Sequence, residues 1–339
     1  MDTILESMIE CLAKGDTIYL PSNFWKELVD KNIKQLESNG MQNMKRTLAQ
    51  NYFTWVVGWR DEQYRYLLKN TRLKDWPSIL KNIFKYDTTS VLTRRQQLGL
   101  SLFTKMLWKF AESHDIEHIL NQIEEPKQGN PFNITIEGKL ISQDLANAAL
   151  EYYSIREYFN ASANAPTVIS ELGAGYGRNA YFFLQAFPQC KYILIDIPPA
   201  LYVAQNYITS LFPDRKIFKF RCFDDFDAVK TDFLDADIVF LLPHQANMLP
   251  KKCVDLFVNI SSLQEMKIEQ IKAYFMMIDK LTKGYFYSKQ WFTSHNPADA
   301  IIVSATDYPI PSTWSQLFHR KSKVQTYFFE AMYKIPLEV

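Results

Sequence analysis

Residues 167–182 read TVISELGAGYGRNAYF: a short apolar run, three glycines at alternate positions, then a segment with helical spacing. No other stretch limits the fold as much. A strand that turns sharply into a helix opens a βαβ unit, and this commits the chain around it to a mostly parallel sheet faced by helices. Alternating glycines tolerate the positive φ of such a turn and leave no side chain where a ligand lies along the main chain. A tight turn without a ligand accounts for the same residues, so the loop alone leaves both readings open. The dinucleotide fingerprint GxGxxG asks for glycine at 178, where this chain has Arg178; its glycines are Gly173, Gly175 and Gly177.

Downstream, short apolar runs alternate with helical stretches. Strands are expected at TVISEL, KYILIDI, DIVFLL, VDLFVNI and GYFYSKQW, with KIFKFRCF a further candidate. PPALYVAQNYITSLF and IEQIKAYFMMIDKLTKG read as helices. The second carries a core stripe of Ile271, Tyr274, Phe275 and Ile278, with Gly284 expected as its stop. WSQLFHRK followed by TYFFEAMYKI reads as a hairpin closing one sheet edge. Before about residue 164 the text is helical and poor in glycine, interrupted by the turn-rich EEPKQGNP and a hairpin signal in NPFNITIEGKLIS. In SQDLANAALEYYSIREYF, Ser142 stands as N-cap, and Leu145, Ala149, Tyr152 and Tyr153 share a face. A chain of 339 residues is long for one domain. The expected organisation is a helical N-terminal lobe over residues 1–140 and a Rossmann-like α/β domain with a mostly parallel sheet over 141–339.

The 38 basic and 37 acidic side chains leave a net charge of +1, without the positive field of a nucleic-acid binder. No apolar run reaches the roughly 18 residues that cross a bilayer, and MDTILESMIECLAKGD is too acidic for a signal peptide, so a cytoplasmic protein is expected. Cys11, Cys190, Cys222 and Cys253 lie far apart with no metal-ligand spacing; neither a zinc site nor a disulfide framework is indicated, and reduced thiols are expected. No bound metal is expected, adjacent acids such as Asp224 and Asp225 being common in plain turns. Aromatic residues make up 15% of the chain, enough to leave a stacking surface or a homo-oligomer interface in the N-terminal lobe.

The run Glu171-x-Gly173-Ala174-Gly175-x-Gly177 after a first strand resembles the S-adenosylmethionine-dependent methyltransferases of the Rossmann-like class. That resemblance implies S-adenosyl-L-methionine as cofactor, with the loop passing its homocysteine part and Glu171 serving its ammonium group directly or through water. Asp196 ends the second strand some 20 residues later, where a carboxylate accepts both ribose hydroxyls of either a nicotinamide or an adenosylmethionine cofactor. A helix N-cap ahead of Pro198 and Pro199 is the alternative for it. Further along, DIVFLLP, VDLFVNISSLQEM, IEQIKAYFMMIDKLTKGYFYSKQW and DYPIPSTW, with NYFTWVVGW and SQDLANAALEYYSI upstream, resemble the sugar O-methyltransferase family found with bacterial surface-glycan genes. This likeness covers most of the chain. It implies methyl transfer to a hydroxyl of a sugar or nucleotide-linked sugar, which no spacing argument names by itself.

Such a transfer needs donor and acceptor aligned and a proton taken from the acceptor oxygen. His244 follows the strand DIVFLL and has the titration range of a general base; a turn cap beside Pro243 is its structural alternative. Glu265, after VDLFVNI, is the rival base, within a loop rich in hydrogen-bonding groups (Asn259, Ser261, Ser262, Gln264). Ser262, Gln264, Tyr287, Gln290 and Trp291 are candidates for the acceptor pocket, Trp291 as a stacking platform. Adenine falls to Asp224 or Asp225 if KIFKFRCF is the third strand, and to Pro243–Gln245 if DIVFLL is; the second is preferred, and it draws His244 away from catalysis. NYFTWVVGWRDEQYRYLL reads as helix core or as a cover over the site, and Arg60, Arg65 and Arg72 as a solvated face or a phosphate contact. Two other classes remain: a nicotinamide-dependent oxidoreductase, opposed by Arg178, and a non-catalytic scaffold, opposed by the intact glycines and Asp196.

Overall fold

The computed structural model describes residues 2–47, 61–87, 90, 92–158 and 168–337, and its contacts divide the chain into two compact units, residues 35–158 and residues 1–34 with 159–339. NYFTWVVGW and Arg60 lie outside the described residues. This division differs from the boundary read in the sequence: the helix Gln143–Arg156 belongs to the helical unit, and residues 1–34 belong with the sheet.

Residues 35–158 are helical because their signals agree locally. The longest helix, Arg94–Glu112, begins with Thr93 accepting from the Gln96 backbone N–H while the Gln96 side chain accepts from the Thr93 N–H, a reciprocal cap. Its inward face buries Leu100, Phe103, Met106, Leu107 and Phe110. Ser142 caps Gln143–Arg156 by accepting from the Leu145 N–H at 3.0 Å, and the hydroxyl also donates to Glu125, which holds buried Lys45. The expected hairpin is present: β1 (Thr135–Ile136) pairs antiparallel with β2 (Lys139–Leu140).

The other unit is built on eight strands: β3 (Val168–Leu172), β4 (Lys191–Ile195), β5 (Ile217–Phe218), β6 (Ile238–Leu241), β7 (Val254–Ile260), β8 (Thr282–Trp291), β11 (Ser315–Lys321) and β12 (Phe328–Lys334). Between β8 and β11 lies a separate antiparallel hairpin of β9 (Thr293–Asn296) and β10 (Ile301–Ser304). The sheet order is β11-β12-β8-β7-β3-β4-β6-β5, all parallel except β12, which is antiparallel to both neighbours. This is a Rossmann-like α/β fold with a mixed sheet, preceded by a helical region. The central strands are apolar throughout, as strands covered on both faces must be, with β6 buried at every position. The tail hairpin is where the sequence placed it. KIFKFRCF yields only the two-residue β5 at the outer edge, and β6 is the neighbour of β4.

Two expectations are corrected. Gly284 does not stop the helix Ile268–Leu281; Thr282 is the C-cap and β8 begins there, with Gly284 inside it. A Cβ at Gly284 would stand 2.2 Å from the Asp255 carbonyl oxygen, so glycine serves the close approach of β7 and β8. Nor are all four cysteines reduced: Cys11 and Cys222 form a disulfide, while Cys190 and Cys253 are free. Linear spacing missed the pair because it is 211 residues apart and meets only when the helix Thr3–Lys14 folds back onto the loop after β5. Burial pushes the remaining thiols up, to about 12 for Cys190 and about 11 for Cys253, which makes them poor nucleophiles.

Candidate functional site

From β3 the chain passes to β4 on one side, and it later returns to place β7 on the other. The crevice beyond the carboxyl ends of β3 and β7 is therefore the switch point of the sheet, where open α/β sheets take ligands. Two loops form its walls.

The first is the glycine loop. Gly173, Gly175 and Gly177 have φ of +71°, +58° and +92°, the left-handed region that glycine alone enters without strain. Each faces something different. A Cβ on Gly173 would lie 2.2 Å from Ser262 Oγ, and one on Gly177 would lie 2.7 Å from Ile208, so these two let the loop meet its neighbours. Beyond Gly175 there is nothing within 4 Å, so its bare face looks into open space. Its N–H donates to Asp196 Oδ2 at 2.8 Å, and the Ile197 N–H donates to Oδ1 at 2.7 Å, which ties the glycine turn to the end of β4. Desolvation pushes the Asp196 carboxyl up to about 7 against the lowering by these two N–H groups. Buried Ala174 lies between the glycines. Glu171 is buried beneath the loop, accepting from Asn179 Nδ2 and from the Tyr192 hydroxyl, both at 2.8 Å. It braces strand, loop and helix from below.

The second wall follows β7. Asn259 Nδ2 donates to the Leu172 carbonyl at 2.9 Å, clasping β7 to β3, while Asn259 Oδ1 accepts from Gln290 Nε2 at 2.6 Å and from the Leu263 N–H at 3.3 Å. Gln290 Oε1 accepts from the Gln264 N–H at 3.4 Å, and the Gln264 side chain accepts from the Trp291 N–H and donates to Ser261 Oγ at 3.1 Å. Gln264 and Gln290 thus hold the loop. At its sharpest point Ser261 sits at φ +54°, uncommon for a side-chain-bearing residue and a sign that its surroundings fix the turn. The result is to present Ser262 against Gly173, and Glu265 beyond it.

Glu265 is 7% exposed, and its Oε2 has no hydrogen-bond partner. Burial pushes its carboxyl up to about 8; the Asp196 charge pushes the same way, and hydrogen bonds from Trp25 and Gln264 oppose it. Three further buried polar atoms without partners belong to this end of the sheet, His244 Nδ1, the Trp291 indole Nε1 and the Tyr308 hydroxyl, whose proton is held more tightly by burial and by the Glu265 charge. Buried polar groups are normally satisfied, so such orphans mark places where a ligand completes the bonding.

Residues 2–34 reach this end of the sheet, and local sequence signals gave no sign of it. Gln270 Nε2 donates to the Ile18 and Leu20 carbonyls at 3.0 and 2.8 Å, and Tyr19 packs against Tyr274 with centroids 5.5 Å apart. Asp299 accepts from the Asn23 and Phe24 N–H groups, each at 3.0 Å, capping the helix Asn23–Asn39. Burial would raise the Asp299 carboxyl, but those N–H groups, Asn296 and Lys267 together bring it below its ordinary value. Ser22 Oγ and Asn296 Nδ2 both approach the Glu265 carbonyl, at 3.5 and 3.4 Å.

The other expected residues are placed as follows. His244 packs under the N-terminal segment: its Nε2 is 3.8 Å from Cys11 Sγ, a Cβ on Gly15 would come within 2.7 Å of its ring, and burial lowers its pKa. The Gln245 amide spans the Leu242 N–H and the Arg221 carbonyl, at 3.1 and 2.8 Å, with Pro243 buried beside it. Tyr287 is in the core, donating to Glu330 at 2.8 Å. Arg72 is paired with Asp75 within its own turn. Asp225 accepts from the Asp227 N–H at 3.0 Å, a plain turn. Among the described residues no three His, Cys, Asp or Glu side chains gather as metal ligands, and no helix is long and apolar enough to cross a membrane.

No protein-family model matches the chain, and no curated protein sequence matches it. Solved structures do. The chain is similar to the magnesium protoporphyrin IX methyltransferase of Synechocystis PCC 6803 with bound S-adenosylhomocysteine, at 13% identity and a TM-score of 0.39 over 57% of this chain and 86% of that one. It is also similar to the 1,6-didemethyltoxoflavin-N1-methyltransferase of Burkholderia thailandensis, at 13% identity and a TM-score of 0.38 over 57% of this chain and 79% of that one. With human N-acetylserotonin methyltransferase the identity is 13% and the TM-score 0.33, over 57% of this chain and 56% of that one.

Proposed function

We propose that the protein is an S-adenosylmethionine-dependent O-methyltransferase acting on a sugar hydroxyl. One observation carries the cofactor half of this reading: at the switch point, the one loop glycine with open space over it is hydrogen-bonded through its N–H to the carboxylate ending the next strand. That arrangement suits a ligand with an uncharged stretch passing the main chain and vicinal hydroxyls meeting an acid. S-adenosyl-L-methionine, when bound, supplies an electrophilic methyl group. Of the chain's own residues, the Gly173–Gly177 loop gives it passage, Asp196 keeps lone pairs for the ribose hydroxyls, and Ser262 with the Asn259 clasp fixes the distance between the two walls.

Glu265 is the proton acceptor in this reading, preferred over His244. Each has a buried atom without a partner, Glu265 Oε2 and His244 Nδ1, but the His244 ring is enclosed by Cys11 and Gly15. An acid raised to about 8 is a stronger base than an ordinary carboxylate once ionised. Methylation should therefore increase as pH rises through about 8 and level off beyond it. The sugar rests on the resemblance of residues 237–314 to sugar O-methyltransferases; a nucleotide-linked sugar in the biosynthesis of bacterial surface glycans is the class to test.

Calorimetric titration with S-adenosylhomocysteine, with NAD in parallel, decides the cofactor. Saturable binding of the first alone supports the reading; binding of NAD instead, or of neither by folded protein, removes it. Transfer of labelled methyl groups to a panel of sugars and nucleotide-linked sugars then tests the acceptor. Glu265→Gln should keep cofactor binding and lose at least about a hundredfold in rate, the usual share of a general base.

A further inference from the structure

Residues 2–25 are fastened along the carboxyl end of the sheet by Gly15 on His244, Ile18 and Leu20 on Gln270, and Asn23 and Phe24 on Asp299. Among the described residues the one covalent fastening is Cys11–Cys222. Its two ends differ. Cys11 is buried 3.8 Å from His244 Nε2, and Cys222 is exposed.

We propose that this disulfide is a reducible latch on an N-terminal strap whose far end seats the Ser22 hydroxyl 3.5 Å from the Glu265 carbonyl. A thiolate of a dithiol reductant attacks the exposed Cys222 Sγ. The S–S bond breaks, its electron pair leaves on Cys11 Sγ, and a proton joins it there. His244, in its Nε2–H tautomer, is placed to donate a hydrogen bond to that nascent thiolate. The reductant's second thiol then displaces Cys222, leaving two protein thiols and a cyclic disulfide, with two electrons transferred. Accessible attack at one sulfur and a stabilised leaving group at the other point in the same direction. Once the latch is open, only non-covalent contacts hold residues 2–25, so the strap opens locally more often.

The test compares protein purified without reductant with the same protein after dithiothreitol, using Cys222→Ser as a reductant-free mimic. Thiol titration under denaturing conditions should read two before reduction and four after it. Amide exchange in residues 3–14 should accelerate by about tenfold or more on reduction and in Cys222→Ser. Four thiols before reduction, or exchange changed less than about twofold after complete reduction, overturns the latch. None of these measurements needs cofactor or acceptor, so their outcome is separable from the methyltransferase reading.

Discussion

Two glycines of one loop should behave oppositely when given a methyl group. Alanine at 177 meets Ile208 at 2.7 Å with φ +92°, and should destabilise the fold by about 2–3 kcal/mol in urea unfolding, the sum of backbone strain and a packed neighbour. Alanine at 175 carries only the strain of φ +58° and should cost about 1 kcal/mol, yet its methyl group enters the open space and should abolish S-adenosylhomocysteine binding. Asp196→Ala should also lose that binding by at least about tenfold, since it removes the proposed ribose acceptor and the partner of the Gly175 N–H. The two raised acids set a pH dependence of stability. Folded Glu265 and Asp196 hold their protons to about 8 and about 7, where the unfolded chain releases them near 4. The native state binds more protons across that interval, so stability is fully present below about pH 4 for these groups, falls as pH rises towards 8, and levels off above it. Thermal unfolding between pH 5 and 9 should show this decline, and Glu265→Gln should flatten it. At this scale the positive-φ turn of the glycines and the place of Asp196 at the end of β4 were legible because they follow from adjacent residues: a strand, a turn, a strand end. The approach of Ser22 to the Glu265 carbonyl was not, because nothing in SNFWKEL announces a group that the chain supplies only at residue 265.

Among elements, the loop after β7 is organised by Asn259, whose single amide joins β3, β8 and the turn. Asn259→Ala leaves the Leu172 carbonyl and the Gln290 amide without this partner in a dry interior. The expected cost is about 3 kcal/mol, with a matching loss of Glu265 placement that calorimetry and methylation rates read separately. The sequence reading took Gln264 and Gln290 as acceptor contacts because they are polar and lie near a strand end; the structure spends both amides on the loop itself. The same ambiguity misled the reading of Gly284. A glycine after a helical run signals a stop, but here helix and strand abut, and the glycine answers to the Asp255 carbonyl across the sheet. Periodicity identified the elements and their order. Pairings between distant elements, such as Gln270 with residues 252 and 250 positions earlier, leave no periodic trace.

The whole molecule does not follow the order of its chain. Residues 1–34 complete the unit that resumes at 159, enclosing a helical unit between two parts of another. The disulfide reinforces that closure over 211 residues, and its reduction should lower unfolding stability by about 2–5 kcal/mol, measurable as a shift in the urea midpoint. Strand β12 adds a consequence for the newborn chain. It pairs with β8 on one side and β11 on the other, yet every other strand of the sheet precedes it in the sequence. During translation, the ten-residue strand β8 stands with one edge unpaired until residues 328–334 have left the ribosome. A stalled or truncated chain keeps that edge, with Phe286 and Tyr287 on it, open to any passing strand, including the same edge of another copy. Seven residues made after the rest of the sheet thus govern how long this protein is exposed to aggregation while it is being made.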